Sequence, residues 1–324
     1  ARSRNDVEGT WHAIYRSTGD HTLRVPGGHL RAYAPPAPRP LGKQESLVDG
    51  EFAFTNADFR AVAEVLYATS GIHLPDSKAA LVYSRLAKRL RALGLRTFRE
   101  YVALVQSDQG KEERERLLMA LTTNVTRFFR EPHHFDHLIQ TVLTPMADKV
   151  KAGAPLRIWS SACSTGQEPY SIALAVLSVW PDAANRDIRI LATDIDENVI
   201  KTARAGVYTG EAIEQVPASY RNRWISKDPD AARTWRMSEE ARSLIAFKPL
   251  NLIGQWPMKK GFDAIFCRNV VIYFDEPTQA KLWRRFAAQL LPQGKLYVGH
   301  SERVSDSAFD SDGQTVYKLA GGRR

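Results

Sequence analysis

Four short polar stretches, each after an apolar run, hold residue types able to recognise a ligand. Ser161-Ala-Cys-Ser-Thr-Gly-Gln-Glu-Pro-Tyr170 follows Leu156–Ser160, and Asp194-Ile-Asp196 follows Ile188–Thr193. Pro249-Leu-Asn-Leu252 follows Ser243–Phe247, and Cys267-Arg-Asn-Val270 closes the run Ala264–Cys267. The first stretch carries one glycine, Gly166, and no Gly-x-Gly-x-x-Gly. A dinucleotide pyrophosphate needs several glycines for close backbone approach, so NAD and FAD are disfavoured; a P-loop is absent too. A nucleoside-type ligand without phosphates fits better. Asp194 at a strand end can accept from ribose hydroxyls and favours a cationic ligand, the alternative being a plain helix cap. The Asn251 and Asn269 amides each offer donor and acceptor, which suits adenine and an amino-acid head group.

Helical segments at Pro169–Trp180, Asn198–Ala205 and Pro277–Leu290 separate several of these runs, and a fifth run lies at Lys295–Gly299. This alternation predicts an α/β fold with a mostly parallel sheet, its ligand outside the carboxyl ends of the strands. The polar, Trp- and Arg-rich stretch Tyr208–Glu240 interrupts the rhythm and reads as an insertion. Residues 52–120 read instead as a small all-helical domain. Thr55 and Asp58 form a capping box, Phe59, Val62 and Leu66 a stripe, and Gly71 suits a C-terminal cap. Further helices are expected at Ser77–Leu93, Phe98–Gln106 and Glu112–Leu121. In the first of these, Val82, Leu86, Leu90 and Leu93 gather on one side and Lys78, Arg85, Lys88, Arg89 and Arg96 on the other. No acid lies between Ser77 and Arg99. Charged helix faces are usually just solvated, but one without mixed signs favours a binding role.

The chain has 324 residues, enough for two domains, with ordinary soluble composition and a net charge of +9. Such a charge suits nucleic acid, an anionic surface or an acidic protein. No apolar run approaches the ~18 residues that would span a bilayer. With no signal segment and only Cys163 and Cys267, a reducing cytoplasm is the expected compartment. Residues 1–51 hold five prolines between Pro26 and Pro40 and read as an unassigned extension, with a short strand expected at Trp11–Tyr15.

In this order, the turns resemble those of the chemotaxis receptor methyltransferases, the CheR family. The resemblance extends to Thr122-Thr-Asn-Val-Thr-Arg-Phe-Phe-Arg130, Phe262-Asp-Ala-Ile-Phe-Cys-Arg-Asn-Val-Val-Ile-Tyr-Phe274, Gly299-His-Ser-Glu302 and Gln314-Thr-Val-Tyr317. It also takes in Tyr83-Ser-Arg-Leu-Ala-Lys-Arg-Leu-Arg-Ala-Leu-Gly94 and covers about residues 52–320.

The resemblance implies a class I (Rossmann-like) methyltransferase domain over 121–321, with a small antiparallel β insertion at about 207–246, after a helical receptor-docking domain at 52–120. It implies S-adenosylmethionine as cofactor, S-adenosylhomocysteine as product, and methyl esterification of receptor glutamates. Carried over by position, Asn124, Thr126 and Arg130 would approach the cofactor's methionine end. Glu168 would hold its amino group and Asp194 its ribose. Asn251 and Leu252 would border the adenine, Asn269 and Val270 would line the pocket, and Arg130 and Tyr273 would sit nearest the transferred methyl. Arg85, Lys88, Arg89 and Arg91 would dock on the helical bundle of a methyl-accepting chemoreceptor. Gln167 stands where many members carry a second Glu. No glycine lies between Trp224 and Ser243, where some members carry a Gly-x-Gly loop that binds a receptor's C-terminal pentapeptide, so no such tether is expected.

A nucleic-acid partner is not expected, since between Lys78 and Arg96 only Tyr83 could stack on a base. Metal is not expected either: His133 and His137 stand at i,i+4, but no third ligand is suitably spaced. Buried thiols without catalytic work are the expectation for both cysteines. A non-catalytic cofactor- or receptor-binding module is the remaining alternative, and the retention of Arg130, Asn269 and Tyr273 together argues against it.

Overall fold

The computed structural model describes residues 46–122, 125–229 and 231–321. The extension up to residue 45, with the strand expected at Trp11–Tyr15, lies outside the described residues, as does Asn124.

Four helices come first: α1 (Asn56–Ser70), α2 (Ala79–Leu93), α3 (Phe98–Gln106) and α4 (Lys111–Leu121). Thr55 and Asp58 cap α1 reciprocally, Thr97 and Glu100 cap α3 in the same way, and Gly71 closes α1 in the left-handed region at φ 74°. The apolar stripes turn inward except at Leu93, the last residue of α2, which stays exposed, and Phe54, Val62, Leu86, Leu90 and Phe98 are fully buried together. Each such side chain removed from water contributes about 1.5–3 kcal/mol. Leu47 donates to the Phe54 carbonyl, and Val48 packs on the same cluster, so residues 46–54 join this helical core.

The rest alternates. Helices α5 (His133–Leu138) and α6 (Ala147–Lys151) lead into β1 (Leu156–Ser160), α7 (Gln167–Val179), β2 (Ile188–Asp194) and α8 (Glu197–Ala205). The insertion comprises β3 (Val207–Thr209), α9 (Gly210–Glu214), α10 (Ala218–Trp224), β4 (Ile225–Lys227), β5 (Thr234–Met237) and α11 (Glu239–Ser243). Then follow β6 (Ile245–Pro249), β7 (Phe262–Cys267), α12 (Glu276–Gln289), β8 (Leu290–Val298), β9 (Phe309–Gly313) and β10 (Val316–Leu319). Seven strands form one sheet in the order β6-β2-β1-β7-β8-β10-β9, parallel from β6 to β8. Strands β3, β5 and β4 form a separate antiparallel sheet. Helices pack on the large sheet's faces, which is why its central strands β1, β2 and β7 are buried at most positions rather than at alternate ones.

The sequence expectation of a strand from Ser243 is corrected by two residues. Ser238 accepts from the Ala241 amide and Glu239 and Glu240 occupy the first turn, so a helix forms over Glu239–Ser243 and the strand starts at Ile245. Strand β8 begins at Leu290, five residues before the apolar run at Lys295.

The order of strands makes a switch point. From β1 the chain steps outward through β2 to β6, then returns to the other side of β1 as β7. Loops leaving β1 and β7 therefore diverge, and a crevice opens at their carboxyl ends.

Candidate functional site

The turn after β1 is tight enough to need unusual backbone. Ser164 and Gly166 have φ of 48° and 99°. A Cβ on Gly166 would stand 2.7 Å from the Tyr208 hydroxyl and 2.8 Å from the Ala203 Cβ, so only glycine lets the start of α7 pack against α8. Four of the five non-glycine residues with positive φ among the described residues, Phe129, Glu131, Ser164 and Asn269, lie beside Arg130 or in the turns after β1 and β7. Local strain of this kind collects where a ligand must be met.

Two buried carboxyls face the crevice. Asp194 accepts from the Ser164 amide at 2.8 Å and the Asp196 amide at 3.1 Å. Glu168, in the first turn of α7, accepts from the Ser160 hydroxyl at 2.8 Å. Burial pushes both carboxyls above their ordinary range, against the backbone amides at Asp194 and against Arg268 and Ser160 at Glu168. A carboxylate kept out of water calls for a cation, and an ammonium or sulfonium ligand would supply one.

The residue that joins the site's parts is Arg268. Its guanidinium has 2% of its surface exposed, lies 3.2 Å from Glu168 and 3.4 Å from Glu131, and donates to the Arg130 carbonyl. One side chain thus ties the end of β7 to α7 and to the segment carrying Arg130. Sequence reading assigned it no role; the available signal was a charge directly after the apolar run Ala264–Cys267.

Thr126, Arg130, Glu168, Asp194, Asn251, Leu252, Asn269, Val270 and Tyr273 all line one cleft, open on one side. The helical part contributes Ser70, Ile72 and Thr122 to its wall. Asn251 is used twice by the chain itself: its amide donates to the Thr69 carbonyl at 2.9 Å and accepts from the Ile253 amide at 3.1 Å. It fastens the turn after β6 to the end of α1. His73 donates to the Tyr273 carbonyl at 2.8 Å, which makes a second fastening close to the cleft. Arg130 is half-buried, with one long contact of 3.4 Å to the Val125 carbonyl.

Outside the cleft, the basic face of α2 is less open than its sequence suggests. Arg89 makes a two-pronged ion pair with buried Glu113 on α4, at 2.9 and 2.6 Å, and Tyr101 donates to the same carboxylate at 3.0 Å. Arg85 donates to the Ala120 and Thr122 carbonyls at the end of α4, both at 3.0 Å. Arg91 pairs with Glu51, both about half exposed. Lys88 is exposed. The expected docking face thus gives Arg85 and Arg89 to the join between α2 and α4. The Tyr83 ring packs on Phe54 and Phe98, and its hydroxyl accepts from the Phe52 amide.

His133 and His134, with Glu131, place ligand-type atoms within 4.8 Å of one another. The Arg268 cation already stands against that carboxylate. His134 is fully buried; burial and the Arg268 charge lower its pKa to about 3, so it is neutral at pH 7. His137 hydrogen bonds to the Tyr297 hydroxyl at 3.1 Å. Cys163 and Cys267 are free and buried, and burial raises both thiols well above their usual range, which makes them poor nucleophiles.

Comparison with known proteins gives two consecutive family matches. Residues 57–122 match the all-alpha domain of CheR methyltransferase, and residues 124–317 match its SAM-binding domain. A probable chemotaxis protein methyltransferase of Rhizobium etli is 52% identical over 258 residues, covering 78% of this chain and 96% of its own. Chemotaxis protein methyltransferase 2 of Pseudomonas aeruginosa is 44% identical, with 83% and 95% covered. The chemotaxis protein methyltransferase of Escherichia coli K12 is 40% identical, with 83% and 92% covered. A doubly wound sheet, a cleft at its switch point faced by the carboxyls of Asp194 and Glu168, and matches of this length have one common account: the chain belongs to the CheR methyltransferase family and is an S-adenosylmethionine-dependent methyltransferase.

Proposed function

We propose that this enzyme methylates glutamate side chains on the helical bundle of chemotaxis receptors, in the cytoplasm, forming γ-glutamyl methyl esters. The observation that supports this most is the lining of the cleft: Arg130 and Tyr273 stand in it with the carboxyls of Glu168 and Asp194, and among the described residues no imidazole or thiol lines it. When bound, S-adenosylmethionine supplies a methyl group on a sulfonium. The acceptor needs no general base, because a glutamate with an ordinary pKa of about 4.3 is already ionised at pH 7. What remains is to hold and dehydrate an anion. Arg130 would pair with one carboxylate oxygen and leave the other free to attack. Tyr273 would donate nearby and shape the mouth. Alignment at attack distance supplies much of the rate, and exclusion of water from the acceptor anion adds to it.

For the cofactor, Glu168 would receive the amino group and Asp194 the ribose hydroxyls, with Asn251 and Leu252 beside the base and Asn269, Val270, Thr126 and Asn124 completing the walls. In the substrate-docking role, Lys88 and Arg91 are the exposed cations, Arg91 paired with Glu51, while Arg85 and Arg89 would act through the rigidity they give to α2. The insertion would work without a receptor pentapeptide: the β4–β5 connection lacks glycine, and the Asp228–Arg236 ion pair, at 2.8 Å, braces it.

Transfer of radiolabelled methyl to receptor-bearing membranes tests the reaction. A label that mild base releases from receptor protein is the expected result, and a base-stable label or none refutes the ester. Calorimetric titration with the pentapeptide tests the tether, and micromolar binding at the insertion would rule out tether-free action.

A further inference from the structure

Glu302 lies outside every role assigned so far, although it is 3% exposed and stands behind the cleft. Its two carboxylate oxygens accept five backbone amides. Oε2 takes Gly299 at 2.6 Å and Asn269 at 2.8 Å, while Oε1 takes Val271 at 2.8 Å, Val270 at 3.0 Å and Ile272 at 3.3 Å. Four of these amides are consecutive and belong to the turn after β7, which carries cleft residues Asn269, Val270 and Tyr273. The turn is strained, with Asn269 at φ 58° and a single 3-10 turn at Val271–Tyr273. A Cβ on Gly299 would come within 2.5 Å of the side-chain Nδ2 of Asn269 and 2.9 Å of Glu302 Oε2, so the glycine makes room for both side chains where the carboxylate reaches across from the end of β8.

We infer that Glu302 is a positioning residue for the cofactor: its carboxylate serves as an anion bound in a nest of backbone amides and sets the turn that presents Asn269, Val270 and Tyr273 to the cleft. A carboxylate is required. Five converging N–H dipoles stabilise negative charge, and a neutral amide in its place would turn an NH2 donor against at least one N–H. This rests on the reading that the cleft takes the cofactor.

The test is Glu302→Gln, which keeps shape and removes charge, with S-adenosylhomocysteine binding measured by calorimetry. Glu113→Gln serves as the comparison, since it disturbs another buried carboxylate far from the cleft. We expect S-adenosylhomocysteine to bind Glu302→Gln at least about tenfold more weakly, the worth of one charge-assisted hydrogen bond. Glu113→Gln should lose thermal stability yet bind within about twofold. A general loss of stability would weaken neither affinity selectively, so the split marks positioning. In the native chain, amide hydrogen exchange adds a measurement that needs no folded variant: residues 269–272 should be protected without ligand. Unchanged affinity in Glu302→Gln, or fast exchange at all four amides, overturns the assignment. Failure of the native chain to bind S-adenosylhomocysteine removes the cleft reading instead, and this proposal with it.

Discussion

Replacing Arg89 by alanine separates docking from folding on α2. The guanidinium meets Glu113 through two hydrogen bonds, at 2.9 and 2.6 Å, and the carboxylate side chain is 7% exposed against 22% for the arginine. Removing one member of a buried pair costs about 3–5 kcal/mol, because the other charge is left without its partner. Here Tyr101 still donates to Glu113 at 3.0 Å, and water reaches the arginine side, so about 2–3 kcal/mol is the expected loss. Lys88→Ala, one residue earlier and exposed, should change stability by no more than about 0.5 kcal/mol. Urea unfolding of the two variants and the native chain measures the difference, and receptor methylation is then assayed at a temperature where all three are folded. Under those conditions Lys88→Ala should lose more methylation than Arg89→Ala. If Arg89→Ala unfolds with the native chain, the ion pair does not hold α2 to α4. The arginine would then be the docking residue its sequence position suggests.

Arg130→Ala should abolish most turnover while S-adenosylhomocysteine affinity stays within about tenfold, or ~1.4 kcal/mol; unchanged methylation would remove Arg130 from the mechanism. Gly166→Ala should destabilise the chain by about 2–3 kcal/mol and weaken cofactor binding, since φ is 99° and the new Cβ would stand 2.7 Å from the Tyr208 hydroxyl; a native thermal transition would contradict this. His134 titrates near 6.5 when unfolded and is depressed to about 3 by burial and Arg268. Its contribution is therefore complete above about pH 6.5 and is withdrawn as pH falls toward 3, by up to about 1.4 kcal/mol per pH unit. His134→Asn should have a shallower stability profile from pH 6.5 to 5, and parallel profiles would show that the ring does not govern acid stability.

Legibility followed the range of the interaction. Thr55 with Asp58, the stripe Phe59–Val62–Leu66 and the left-handed Gly71 act within a few residues, and each was readable in the chain. Strand ends at Ser160 and Cys267 were readable because short apolar runs, Ile158–Trp159 and Ala264–Cys267, lead into the turns. The start at Ile245 was not, because capping by Ser238 competes with β patterning over the same residues. Nine of the ten residues proposed for cofactor or chemistry line the one cleft, and the tenth, Asn124, lies outside the described residues. Arg268 and Glu302 were missed because their partners stand 100 and 138 positions away for the first and 30 to 33 for most of the second.

By itself, the sequence determined the two kinds of fold, the strand-end turns, the family and the phosphate-free cofactor. Those depend on local periodicity, on glycine placement and on motif order. Tertiary structure alone decided what the charges do. On α2 it turned two arginines of an apparently solvated face toward α4, because a buried carboxylate and the free carbonyls of a helix end must each find a donor. Around the cleft it gave Arg268 to two carboxylates and Glu302 to five amides. A charge is only as free as its surroundings allow, and those surroundings come from segments far apart in the chain.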